Sequence, residues 1–221
     1  MGFATRSYLL ISVAVVWLYF ISACEAGREQ RYVFFLHNRF LEEHELHEEH
    51  PEYGRVYYNE IVSRLEQSGL MVISEIRSGN VDAASYARDI VAQIDSLITT
   101  GIPPDHITVV GTSKGGYIAQ YVSTLASNPD LNFVFVASFR DTDIQQIPDI
   151  DYCGNILTIF DTSDSFGVSA IERRATSTCH IEQFRELELS TGMGHGFLFR
   201  PLDEWMEPTI AWAKSDYEFI D

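Results

Sequence analysis

From residue 30 onward the chain alternates short, almost wholly apolar runs with longer segments whose apolar positions recur every three or four residues. The first pattern predicts strands over 32–36, 70–76, 106–111, 131–137, 155–160 and 184–189. The second predicts helices over 53–67, 83–99, 115–127, 202–214 and a short one over 169–175. In Val33, Phe34, Phe35 and Leu36, and again in Phe133, Val134, Phe135 and Val136, there is no polar position at all, as expected of strands covered on both faces. Strand and helix in alternation predict an α/β fold: a three-layer α/β/α sandwich around a mostly parallel sheet of about six strands, with right-handed crossovers. Functional side chains in such a sheet gather at the carboxyl ends of the strands.

Composition bounds this picture without changing it. The 221 residues, 46% of them hydrophobic, suffice for one sizeable core, so 31–221 is expected to be a single domain. The beginning differs: after Arg6 the run from Tyr8 to Cys24 carries no charge. As a helix it would be about 25 Å long, short of the roughly 30 Å of a bilayer core. It therefore predicts a signal peptide over 1–23, followed by a short linker over 24–30 and export of the mature chain. Ile21, Ser22, Ala23 and Cys24 also resemble a bacterial lipobox, which would make Cys24 a lipidated N-terminus and the protein a periplasmic or cell-envelope lipoprotein. Ordinary cleavage near Ala23 or Ala26, or an uncleaved anchor, are the alternatives. A formal net charge of -17 repels nucleic acid and anionic lipid headgroups, which leaves the anchor as the expected membrane contact. Oligomeric state is not legible.

The chemistry begins at Gly111, Thr112, Ser113, Lys114 and Gly115, a G-x-S-x-G pattern between a predicted strand and a predicted helix. A serine in a sharp turn of this kind is presented to substrate, and glycines on either side leave room for the facing backbone. A serine hydroxyl needs a base. Of the histidines that follow, His180 precedes the last predicted strand and falls at the amino edge of the sheet, whereas His195 follows that strand and shares an edge with Ser113. The base needs a carboxylate to fix its tautomer, and the loop after 155–160 supplies Asp161 at the strand end and Asp164 three residues further.

These residues resemble an α/β-hydrolase over essentially all of 31–215, through Gly111 to Gly115, through Ile159 to Asp164 and through Gly194, His195, Gly196 and Phe197. The resemblance implies a Ser113, His195 and Asp164 triad, Asp164 being preferred over Asp161 because the acid commonly sits a few residues past the sheet edge. It also implies an oxyanion hole from the backbone amides of Lys114 and Arg39, although Asn38 stands where the superfamily usually has glycine. The two strands that normally lead the sheet are missing, and 139–152 is too short for a lid, so a small, open, shallow site is expected. The implied activity is a lid-less serine hydrolase that takes a small-molecule carboxylic ester or thioester through an acyl-enzyme, without cofactor or metal. Alternatives are a peptidase or amidase on the same residues, and a binding protein that keeps the fold without catalysis.

Three further features complete the reading. Cys153 and Cys179 precede neighbouring strands at the amino edge of the sheet and are placed to bridge, closing a loop worth roughly 3 kcal/mol; two buried free thiols are the alternative. The segment containing His44, His47 and His50 among acidic residues lacks an H-E-x-x-H metal motif and reads as a solvated acidic loop at the mouth of the site, with a regulatory metal or substrate contact as lesser alternatives. Arg77, at the end of the second predicted strand, reads as a surface ion pair or an anchor for a substrate carboxylate. Lys114 stands before Gly115 rather than after it, which excludes a phosphate loop, and no G-x-G-x-x-G follows the first strand.

Overall fold

In the computed structural model, which describes residues 30–219, the six apolar runs become strands and the five amphipathic segments helices, and two two-residue strands and two four-residue helices join them. In chain order these are β1 (Tyr32–Leu36), α1 (Phe40–Glu43), β2 (Glu49–His50), β3 (Gly54–Arg55), α2 (Tyr58–Gln67), β4 (Met71–Ile73) and α3 (Ala83–Thr99). There follow β5 (Ile107–Thr112), α4 (Lys114–Ala126), β6 (Asn132–Val136), α5 (Asp143–Gln146), β7 (Asn155–Asp161), α6 (Ile171–Thr176), β8 (Phe184–Leu189) and α7 (Asp203–Ala213). Short 3-10 turns occupy Pro104–His106 and Gly194–Phe199. The predicted leader over 1–23 and Cys24 lie outside the described residues.

Six strands form one sheet in the order β4-β1-β5-β6-β7-β8, every neighbouring pair parallel. Successive residues of a strand face opposite sides, so each strand feeds two cores. Val33, Phe35, Val110, Val134 and Leu157 pack against Ile61 and Leu65 of α2 and against Trp205, Met206 and Trp212 of α7. Phe34, Leu36, Val109, Phe133 and Ile156 pack against Ile90 and Ile94 of α3 and Ile118 and Val122 of α4. This is the expected three-layer sandwich, and the strand order brings the carboxyl ends of β1, β5 and β7 to one edge.

Two boundaries move from expectation for local reasons. The helix predicted from residue 53 starts at Tyr58, because Glu49–His50 and Gly54–Arg55 pair as an antiparallel ribbon in which Gly54, the first residue of β3, sits at φ 75°. The Tyr57 amide donating to the Phe199 carbonyl (2.8 Å) then fixes where α2 begins. The strand predicted over 70–76 shortens to Met71–Ile73, an edge strand that pairs only with β1. At the opposite edge of the sheet from the site, Cys153 and Cys179 form a disulfide with their Cα atoms 5.2 Å apart.

Candidate active site

The turn between β5 and α4 is built by its glycines. Ser113 sits at φ 51° and ψ -117°, a strained conformation for a residue with a side chain. A Cβ on Gly111 would overlap the carbonyl of Gly115, and one on Gly115 would overlap the carbonyl of Leu36. Only glycine lets β5, the turn and β1 approach this closely. The Ser113 amide is held by the Val136 carbonyl at 2.9 Å, and Ala137, immediately after β6, is itself at φ 48°. Strain therefore concentrates at the carboxyl ends of two adjacent strands.

The loops after β7 and β8 bring the other residues to this turn. His195 Nε2 lies 2.8 Å from Ser113 Oγ, and His195 Nδ1 lies 2.7 Å from Asp164 Oδ2. The other carboxylate oxygen of Asp164 accepts the Phe166 amide at 2.8 Å, which fixes the carboxyl plane. Asp161 does not reach His195. Its two oxygens accept from the amide and hydroxyl of Ser163 and from the amide and hydroxyl of Thr191, tying the β7 loop to the loop that carries His195. Burial pushes the Asp161 carboxyl up, but these four hydrogen bonds outweigh it and hold the group below its ordinary range. Ser163 closes the same knot by accepting the Gly194 amide at 2.9 Å. His180 precedes β8 and so stands at the amino end of that strand, whereas His195 follows its carboxyl end.

Beside Ser113, the backbone after β1 is held by a buried polar network that the sequence reading missed. His37 Nε2 accepts the Arg77 amide at 2.8 Å, so the proton is on Nδ1, which donates to the Asn38 carbonyl at 2.7 Å. Burial, with the Arg77 guanidinium adding to it, lowers His37 to about 4 and keeps the ring neutral. Arg77 also donates to the His37 carbonyl, and its Nε donates to Glu42 Oε1 at 2.9 Å. Glu42 Oε2 accepts from Lys114 Nζ at 2.5 Å. Burial pushes the Glu42 carboxyl up, and the hydrogen bonds from Lys114 and Arg77 more than offset this. The expectation that Arg77 pairs on the surface or faces substrate is thus corrected: it is 3% exposed and turned into the network. Among the described residues, the Arg39 and Lys114 amides have no acceptor, and both residues line the cleft.

That cleft has a volume of about 570 Å³ and opens over Ser113 and His195. One wall is aromatic: His50 stacks on Tyr53 (4.5 Å between ring centroids), Phe40 stacks on His44 (4.2 Å), and Phe199 touches Phe40, His50 and Tyr53. Tyr53 and Phe166 both meet His195 edge-on. Opposite chemistry stands at Tyr117 and Arg140, where Arg140 Nε donates to the Tyr117 hydroxyl (2.9 Å) and that hydroxyl donates to the Asp143 carboxylate. The acidic segment is therefore not simply a solvated loop: Glu42 is buried, His44 and His50 form cleft wall, and only His47 turns to a separate depression. Among the described residues, no three His, Cys, Asp or Glu side chains converge as a metal-ligand set.

No protein-family model and no curated protein matches the sequence. Solved structures do match by shape. SOBER1 of Arabidopsis thaliana is 17% identical, with 85% of this chain and 99% of SOBER1 covered at a TM-score of 0.54. An arylesterase is 15% identical, covering 87% and 77% of the two chains at 0.56, and an esterase/lipase from an uncultured bacterium is 13% identical, covering 85% and 76% at 0.59. These are α/β-hydrolase-fold proteins. A parallel six-stranded sheet with helices on both faces, a strained serine turn at the end of β5 and this likeness together show that the chain has the α/β-hydrolase fold.

Proposed function

We propose that the chain is a serine hydrolase acting on small carboxylic esters or thioesters. The observation that carries this is the continuous hydrogen-bond line from Ser113 Oγ through the His195 ring to Asp164, at 2.8 and 2.7 Å, inside an open cleft. Ser113 Oγ attacks the carbonyl carbon while His195 Nε2 takes its proton, and Asp164 holds the opposite ring nitrogen as donor and stabilises the imidazolium. The carbonyl oxygen becomes an oxyanion facing the Lys114 and Arg39 amides, with the N-terminus of α4 adding favourable potential. His195 returns the proton to the leaving alcohol or thiol. Water then takes the place of Ser113 as nucleophile and the acyl-enzyme is cleaved. Esters are favoured over amides because their leaving group asks less of the acid, and the description of similar structures as esterases supports the same choice. Export with Cys24 as a lipid anchor is part of the proposal, and the Cys153–Cys179 bridge supports an oxidising compartment.

The test is turnover of p-nitrophenyl acetate beside its anilide counterpart, p-nitroacetanilide. The expected result is a p-nitrophenol burst followed by steady release from the ester, little or none from the anilide, and loss of the ester reaction in Ser113→Ala. An intact, folded protein whose ester hydrolysis is unaffected by Ser113→Ala would refute the proposal.

A further inference from the structure

We infer that Glu42 is a positioning residue that locks the two halves of the oxyanion hole into one unit; this rests on the serine-hydrolase reading above. The two amides that would meet the oxyanion come from separate parts of the chain, Arg39 after β1 and Lys114 after Ser113. The β1–β5 ladder ends at Leu36 and Gly111, and among the described residues no backbone hydrogen bond joins residues 37–39 to the Ser113 turn. Glu42 joins the two. It lies in the short helix α1, directly after Arg39, and its side chain is fully buried. One oxygen accepts from the Lys114 ammonium at 2.5 Å, joining α1 to the turn between β5 and α4 that carries Ser113, the elbow. The other accepts from Arg77 Nε at 2.9 Å, and Arg77 in turn holds His37, whose ring fixes the Asn38 carbonyl just before Arg39. The Asn38 side chain closes the loop by accepting the Leu41 amide at 3.3 Å.

One buried carboxylate thus carries three links: covalent to the Arg39 segment, ionic to the Lys114 residue, and ionic to the clamp behind His37. Two cations against one carboxylate leave a local charge of one positive unit beside the developing oxyanion, which the elbow's helix N-terminus reinforces. An isolated buried carboxylate would be costly, and it is tolerated here because both oxygens are engaged by charged donors. The role is positioning rather than contact, since Glu42 lies behind the amides and does not line the cleft.

The experiment measures kcat and KM on p-nitrophenyl acetate, and the inhibition constant of an alkyl trifluoromethyl ketone, for wild type, Lys114→Met, Lys114→Arg and Glu42→Gln. Oxyanion alignment should appear in the ketone adduct and in kcat, not in KM. Lys114→Met, which keeps the amide and removes the ammonium's bonds to Glu42 and to Asn80, is expected to lose on the order of 10-fold to 100-fold in kcat, with the ketone weakened by a similar factor and KM within about twofold. Lys114→Arg, which preserves the ionic link, should restore most of both. Glu42→Gln should lose at least as much as Lys114→Met, and a variant combining Glu42→Gln with Lys114→Met should lose little more than Glu42→Gln alone. A folded Lys114→Met with wild-type kcat and ketone affinity would overturn the inference even if Glu42→Gln does not fold. So would equal losses in Lys114→Met and Lys114→Arg. A wild type that neither turns over the ester nor binds the ketone would instead strike the serine-hydrolase reading beneath it.

Discussion

Two aspartates three residues apart illustrate how side chains of one kind are given different work by their donors. Asp164 presents one oxygen to His195 and one to a backbone amide, whereas all four bonds of Asp161 go to Ser163 and Thr191. Asp164→Asn replaces the acceptor that fixes the His195 tautomer, and kcat is expected to fall on the order of 10³-fold to 10⁴-fold with little change in melting temperature. Asp161→Asn turns an amide donor towards existing donors; it is expected to cost about 1 to 3 kcal/mol of stability in urea unfolding while keeping much of kcat. The reverse pattern, with Asp161→Asn inactive and Asp164→Asn active, would reassign the two. His37 makes a prediction of opposite kind. Its folded pKa, about 4, lies below the unfolded value near 6.5, so between these pH values the unfolded chain binds the proton that the folded chain refuses. Its contribution, about 3 kcal/mol, is complete above pH 6.5 and is lost as pH falls towards 4. Urea unfolding across that window should show a steeper loss in wild type than in His37→Gln, and equal slopes would contradict the assignment.

At the scale of elements, the strands were legible because burial on both faces removes every polar position, as in Phe133 to Val136. β4 is shorter than its apolar run, since an edge strand with a single partner forms only as far as β1 pairs with it, to Ile73. The predicted start of α2 falls early because the ribbon at Glu49–His50 and Gly54–Arg55 is too short to leave a periodic signal. The elbow was readable since its glycines are demanded by backbone contact: Gly111 and Gly115 each stand where a Cβ would enter a carbonyl. Gly115→Ala should therefore separate the turn from Leu36, and is expected to cost about 3 kcal/mol of stability and most of the activity, measured by thermal unfolding and ester turnover. Wild-type stability in that variant would show that β1 and the elbow are not tightly apposed. The network around Glu42 was not legible. Glu42 and Arg77 are 35 positions apart, and a carboxylate inside a run of acidic residues looks solvated until the fold covers it. The aromatic wall was hidden for the same reason, because Phe199 meets Phe40 and Tyr53 from near the other end of the chain.

Over the whole molecule, a scaffold of two buried helical faces holds one edge rigid enough to keep Ser113 and Ala137 in strained backbone, while the disulfide fastens the opposite edge between β7 and β8. That separation predicts that reduction acts on stability and not on chemistry. Cys153→Ser with Cys179→Ser should lower stability by roughly 3 kcal/mol and leave kcat unchanged below the melting transition, and a loss of kcat in the folded variant would contradict it. The central claim is that Ser113 is the nucleophile of this molecule, activated by His195. It is tested most directly by treating the purified protein with a fluorophosphonate and locating the adduct by peptide mass spectrometry. The account predicts stoichiometric modification of Ser113 in wild type, none in Ser113→Ala, and strongly slowed labelling in His195→Ala. A folded wild type that remains unmodified, or an adduct on another residue, would contradict it.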